Sequence, residues 1–135
     1  MANNEVTILV VDDDEMMLTM AEMILKKEQG YNVLKAISGI QCLQRLQSEE
    51  KIDLILLDIQ MPGMDGLKTM ELIKKHDYWK LIPVVFLTAS SDKNTVVKAG
   101  LLGPAGYIKK PFVPQDFLQR IETVLAEAAL DKLTK

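Results

Sequence analysis

Residues 10–15 read VVDDDE, so Asp12, Asp13, Asp14 and Glu15 follow one another directly behind the apolar run VTILVV. Two like charges about 4 Å apart repel by roughly 4 kcal/mol at an effective dielectric near 20. An acidic cluster in that place works against folding unless a cation offsets it. Three further apolar runs also close on polar residues: Asp58 ends IDLILLD, Thr88 ends PVVFLT, and Lys109 and Lys110 end GYIKK ahead of Pro111. Three carboxylates, a hydroxyl and an ammonium gathered at one crevice would be an oxygen-rich set, which suits a hard cation such as Mg²⁺. Side chains alternate along a strand, so only one of Lys109 and Lys110 can face such a crevice.

The crevice depends on the elements that carry these residues. VTILVVD, IDLILLD, PVVFLTA and AGYIKK read as buried strands, and YNVLKAI as a weaker one, because each is short, aliphatic or β-branched, and closed by polar residues. Helical spacing lies between them. Met17, Met20, Ala21, Ile24 and Leu25 outline a first helix ended by Gly30, and Leu43 and Leu46 mark a second. Leu67, Met70 and Ile73 mark a third, started by Asp65. A fourth opens on Ser91 or Asp92 with Val96, Val97 and Leu101 as its apolar face, and a fifth runs from Pro114 through Phe117, Leu118, Ile121, Val124, Leu125 and Ala128. Strand and helix alternate five times, which predicts a doubly wound α/β fold: a five-stranded parallel sheet of order 2-1-3-4-5 flanked by five helices. Ligands then sit beyond the carboxyl ends of strands 1 and 3, where the strand order reverses.

The 135 residues suit one domain. The net charge of −3 and the scattered lysines offer no stripe for nucleic acid, and no apolar run is long enough to span a bilayer. Cys42 is the only cysteine, so no internal disulfide forms, and MANNEVTILVVDDD lacks the basic start of a signal peptide. A cytoplasmic protein is expected.

Four motifs in order, LVVDDDE, LILLDIQMPGMDG, VVFLTA and GYIKKPF, give the chain from about Thr7 to about Leu130 its resemblance to the receiver domains of bacterial two-component response regulators, of the chemotaxis-regulator-like kind. The resemblance implies the same flavodoxin-like order and one receiver domain over 1–135, with a core at about 7–130 and a polar tail at 131–135. It makes Asp58 the phosphoryl acceptor. It assigns the metal to Asp12, Asp13, Asp58 and the main-chain carbonyl of Gln60, with Asp13 the direct ligand and Asp12 acting partly through water. Lys110 and Thr88 would hold phosphate oxygens, Thr88 and Tyr107 would form the switch, and the Lys110–Pro111 bond would be cis. Mg²⁺, replaceable by Mn²⁺, is the implied cofactor. The implied partners are a sensor histidine kinase or histidine phosphotransfer protein, an unknown effector, and a second copy meeting the fourth helix, fifth strand and fifth helix. The domain would catalyse only its own phosphorylation and autodephosphorylation, without direct nucleic-acid or membrane contact.

Other readings compete residue by residue. Helix capping accounts for Asp14 but not for three aspartates. Asp12-x-Asp14 also resembles the signature of haloacid-dehalogenase-like phosphatases, in which the first aspartate attacks and the second is the general acid. A flavodoxin-like cofactor module would need a phosphate cradle where this chain has carboxylates. Met16, Met17, Met20 and Met23 could give the first helix an adaptable docking surface for the phosphoryl donor. His76 reads as a helix C-terminal residue, Trp79 and Tyr78 as packing beside it, Pro104 as a stiffener after Gly103, and Gln60 and Ser90 as modulators of autodephosphorylation.

Overall fold

The computed structural model describes residues 5–48, 51–89 and 92–134. Its elements follow in the order β1 (Thr7–Val11), α1 (Glu15–Gln29), β2 (Asn32–Ala36), α2 (Gly39–Ser48), β3 (Leu54–Asp58), α3 (Gly66–Lys75), a 3-10 turn at Trp79–Leu81, β4 (Val84–Thr88), α4 (Lys93–Leu101), β5 (Gly106–Lys109) and α5 (Pro114–Thr134). The strands form one sheet of order β2-β1-β3-β4-β5, and every neighbouring pair is parallel. The expected fold is therefore the observed one.

Alternation divides the core. Leu9, Val11, Ile55, Leu57 and Phe86 face one layer, where Cys42, Leu46, Met70, Ile73 and Ala99 meet them. Ile8, Val10, Leu54, Leu56, Val85 and Leu87 face the other, against Leu18, Ala21, Leu25, Phe117, Ile121 and Val124. Every residue of β3 and β4 is buried, as fits central strands covered on both faces.

Two helical faces differ from the sequence reading. The buried residues of α1 are Leu18, Ala21 and Leu25, while Met20 is 36% exposed. On α4 only Ala99 is buried, whereas Val96, Val97 and Leu101 are 43%, 61% and 82% exposed. The small Ala99 seats α4 on the sheet, and Leu102 just beyond the helix packs against the same layer. The apolar trio therefore faces out. Asp92 caps α4 by accepting from Asn94 N, and Ser91 and Ser90 lie outside the described residues. Residues 131–134 of the expected polar tail continue α5 as helix.

Candidate functional site

Four elements deliver the site. Asp12 leaves β1 with its backbone N–H still donating to Ala36 O at 3.1 Å, and its side chain is completely buried. Asp14 caps α1, accepting from Met16 N at 3.0 Å, while its own N–H donates to Asp12 Oδ1 at 3.0 Å. The cap thus orients Asp12, and Asp13 between them is exposed. Asp58 ends β3 and is 4% exposed. Ile59 N donates to Leu87 O at 3.1 Å, and Gly66 N donates to Ile59 O at 2.8 Å, so the backbone past Asp58 is pinned from both sides. A Cβ at Gly66 would collide with the carbonyl oxygen of Asp58. This requirement was invisible in the sequence, where Gly66 reads only as part of a turn; glycine directly behind the cap residue Asp65 was the available sign.

The lysine comes from the other end of the sheet. Lys110 N donates to Thr88 O at 2.9 Å, and the Lys110–Pro111 peptide is cis. Lys110 Nζ lies 2.5 Å from Asp12 Oδ2 and 3.3 Å from Asp58 Oδ1, whereas Lys109 is exposed. Among the described residues, Asp12 Oδ2 is a fully buried side-chain oxygen without a hydrogen bond of regular geometry, although the Lys110 ammonium lies beside it.

Electrostatics follow from this crowding. Burial, then the Asp12 carboxylate, pushes Asp58 up to about 7, against the downward pull of Lys110. Burial pulls Lys110 down, but Asp12 and Asp58 more than offset it, leaving the ammonium above its ordinary value. One ammonium therefore does not balance the acids around it. Carboxylate oxygens of Asp12, Asp13 and Asp58 all lie within 4.8 Å of one another. Hard oxygen donors, surplus negative charge and an oxygen short of a hydrogen bond together fit a divalent cation of the Mg²⁺ type.

The remaining residues sit around this centre. Thr88, at the end of β4, is 9% exposed, and in the β3–β4 register it follows Leu87, the partner of Asp58. Tyr107 pairs with Phe86 across β4 and β5, is 36% exposed, and holds its ring 6.2 Å from that of Phe86. Its hydroxyl lies over Gly100 of α4, where an added Cβ would come within 3.3 Å of it. Gln60 is exposed on the loop after β3. Away from the site, His76 ends α3, accepts at Nδ1 from Tyr78 N and Trp79 N at 3.2 Å each, and stacks on Trp79 with ring centres 3.8 Å apart. Trp79 packs on the core, but Tyr78 is 78% exposed. Met16 and Met23 are also exposed, at 82% and 60%.

The sequence profile of the response regulator receiver domain matches residues 8–122. The transcriptional regulatory protein GltR of Pseudomonas aeruginosa is 35% identical over 95% of this chain and 52% of its own length. The alkaline phosphatase synthesis transcriptional regulatory protein PhoP of Bacillus subtilis is 32% identical over 91% of this chain and 50% of its own. The chain thus spans about half the length of these curated relatives. Among solved structures, a CheY-like response regulator receiver domain protein from Methanospirillum hungatei superposes with a TM-score of 0.86 at 30% identity, covering 93% of this chain and 98% of that one. The chemotaxis protein CheY4 of Vibrio cholerae gives 0.82 at 27% identity, covering 88% and 98%.

Proposed function

The chain belongs to the response regulator receiver domain family, and from that premise we propose that Asp58 accepts a phosphoryl group from a phosphohistidine on a sensor histidine kinase or histidine phosphotransfer protein. The observation that carries the reading is the buried Asp58 carboxylate held 3.3 Å from Lys110 Nζ and grouped with Asp12 and Asp13. An Asp58 oxygen attacks phosphorus in line, the P–O bond forms as the P–N bond breaks, and the electron pair of that bond leaves with the donor imidazole. Lys110 neutralises one phosphoryl oxygen, and the Thr88 hydroxyl donates to another. Mg²⁺, held by Asp12, Asp13, Asp58 and the Gln60 carbonyl and replaceable by Mn²⁺, would neutralise the charge on a third. In such a site Asp13 would be the direct ligand and Asp12 would act partly through water. With Thr88 drawn toward the phosphate, Tyr107 turns inward from α4, and the α4–β5–α5 face changes shape. Moving such a switch from 1:99 to 99:1 takes about 5.5 kcal/mol of differential stabilisation.

The receiver unit in this reading is residues 1–135 with its core at about 7–130, in the cytoplasm. Its only reactions are its own phosphorylation and dephosphorylation. The donor docks on α1, where Met16, Met20 and Met23 are exposed. The altered α4–β5–α5 face, with Val96, Val97 and Leu101 exposed, engages the effector or a second phosphorylated copy. The test is uptake of label from ³²P-acetyl phosphate with Mg²⁺. Asp58→Asn should abolish it. Uptake that survives in Asp58→Asn and needs Asp12 instead would sink the reading in favour of the phosphatase chemistry of Asp12 and Asp14. Against that alternative stands the engagement of the Asp14 carboxylate as the α1 cap.

A further inference from the structure

We propose that Asp14 is a positioning residue that joins the divalent-cation site to the first turn of α1, so that cation binding and the order of that turn rise and fall together. The inference rests on the cation reading proposed above and goes beyond it by naming what holds the ligands in place. Asp12 is completely buried, and of its two carboxylate oxygens Oδ2 lies beside the Lys110 ammonium while Oδ1 accepts from Asp14 N at 3.0 Å. The donor of that bond is main chain, so its direction depends on the backbone of Asp14, which is extended at φ −92° and ψ 108°. Two further bonds fix that backbone. Asp14 Oδ1 accepts from Met16 N at 3.0 Å, and Asp14 O accepts from Leu18 N at 3.1 Å. Leu18 is buried in the layer beneath α1 and ties the turn to the sheet.

Asp12 and Asp13 are two of the three grouped carboxylates, and Asp13 stands between the two residues fixed in this way. One cap therefore sets the stretch of chain from which both project. The carboxylate of Asp14 is itself exposed, so water and salt screen its charge, whereas its loss as a cap frees the turn. Ligands held in place before an ion arrives cost less to order when it binds. Linkage is reciprocal: if the cap favours the ion, an ion bound through Asp12 favours the cap and with it the turn that contains Met16, an exposed residue of α1.

Titration of the full chain with Mn²⁺, followed by the electron paramagnetic resonance of the free ion, tests this together with amide hydrogen exchange at Met16 with and without Mg²⁺. Asp14→Ala should bind Mn²⁺ about five- to tenfold more weakly than wild type. Asp14→Asn keeps the cap and drops the charge, and should stay within about twofold of wild type. Mg²⁺ should slow exchange of the Met16 amide in wild type and in Asp14→Asn but not in Asp14→Ala. Asp92→Ala removes the cap of α4 instead; it should lower Tm about as much as Asp14→Ala and leave Mn²⁺ affinity within about twofold. The proposal is overturned by wild-type affinity in Asp14→Ala, by a loss in Asp92→Ala as large as in Asp14→Ala, or by Met16 exchange that ignores Mg²⁺. It is also overturned if Asp14→Asn weakens as much as Asp14→Ala, which would assign the effect to charge. A wild-type chain that binds no Mn²⁺ fails at an earlier point, removing the cation reading and this proposal with it.

Discussion

β3 and α4 make opposite uses of apolar residues. All five residues of β3 are buried and its last one is Asp58, so the carboxylate rides on the most enclosed element of the sheet. Of the nine residues of α4 only Ala99 is buried, and its larger apolar side chains face solvent. A phosphoryl acceptor has to be held in place before its reactant arrives. An output surface has to move at small cost, and elements with few buried contacts are the ones that open or shift first. Under the function proposed above, the molecule divides into a rigid half that would do the chemistry and a lightly anchored half that would report it.

That contrast can be broken or sharpened by measurement. The largest expected effect is from Phe86→Ala, which empties a fully buried ring from β4 and should cost about 3–5 kcal/mol in urea unfolding. A cost near zero would remove the rigid half. Next, Lys110→Ala should slow phosphorylation of Asp58 by acetyl phosphate about 100-fold, close to 2.7 kcal/mol of transition-state stabilisation, because it deletes the ammonium beside both carboxylates.

A smaller effect concerns pH. Asp58 is pushed from an ordinary carboxylate value up to about 7, so it binds its proton more tightly folded than unfolded. The sign follows from linkage: its contribution to stability is full below about pH 4 and is lost as pH rises through about 7. Without divalent ions, Asp58→Asn should therefore gain Tm over wild type as pH rises from about 5 to 8, by a few degrees, on the order of 1–2 kcal/mol. Added Mg²⁺ should stabilise wild type more than the variant and narrow the gap. A gap that does not depend on pH would remove the electrostatic account. The smallest effect is from Leu101→Ala on α4, expected within about 0.5 kcal/mol of wild type because that side chain is 82% exposed.

The strands, their order and the grouping of Asp12, Asp13, Asp58 and Lys110 were legible because short apolar runs ending in polar residues fix both the element and the edge where its last side chain emerges. The faces of α1 and α4 were less so. Spacing identifies an apolar stripe, but it cannot say whether the stripe is covered, and on α4 a single alanine makes the contact that valines and leucine were expected to make. Gly66 escaped for a related reason. The demand for a missing Cβ arises from the carbonyl of Asp58, eight residues earlier in the chain, and exists only once β3 and α3 have met.

Cys42 is completely buried on the core-facing side of α2, and burial alone raises its thiol to about 12. Thiolate is the species that reacts with maleimides and peroxide, so the folded chain shields its one sulfhydryl by enclosure and by protonation together. Alkylation of Cys42 would then report how often the α2 side of the molecule opens, a native clock for breathing that needs no added label.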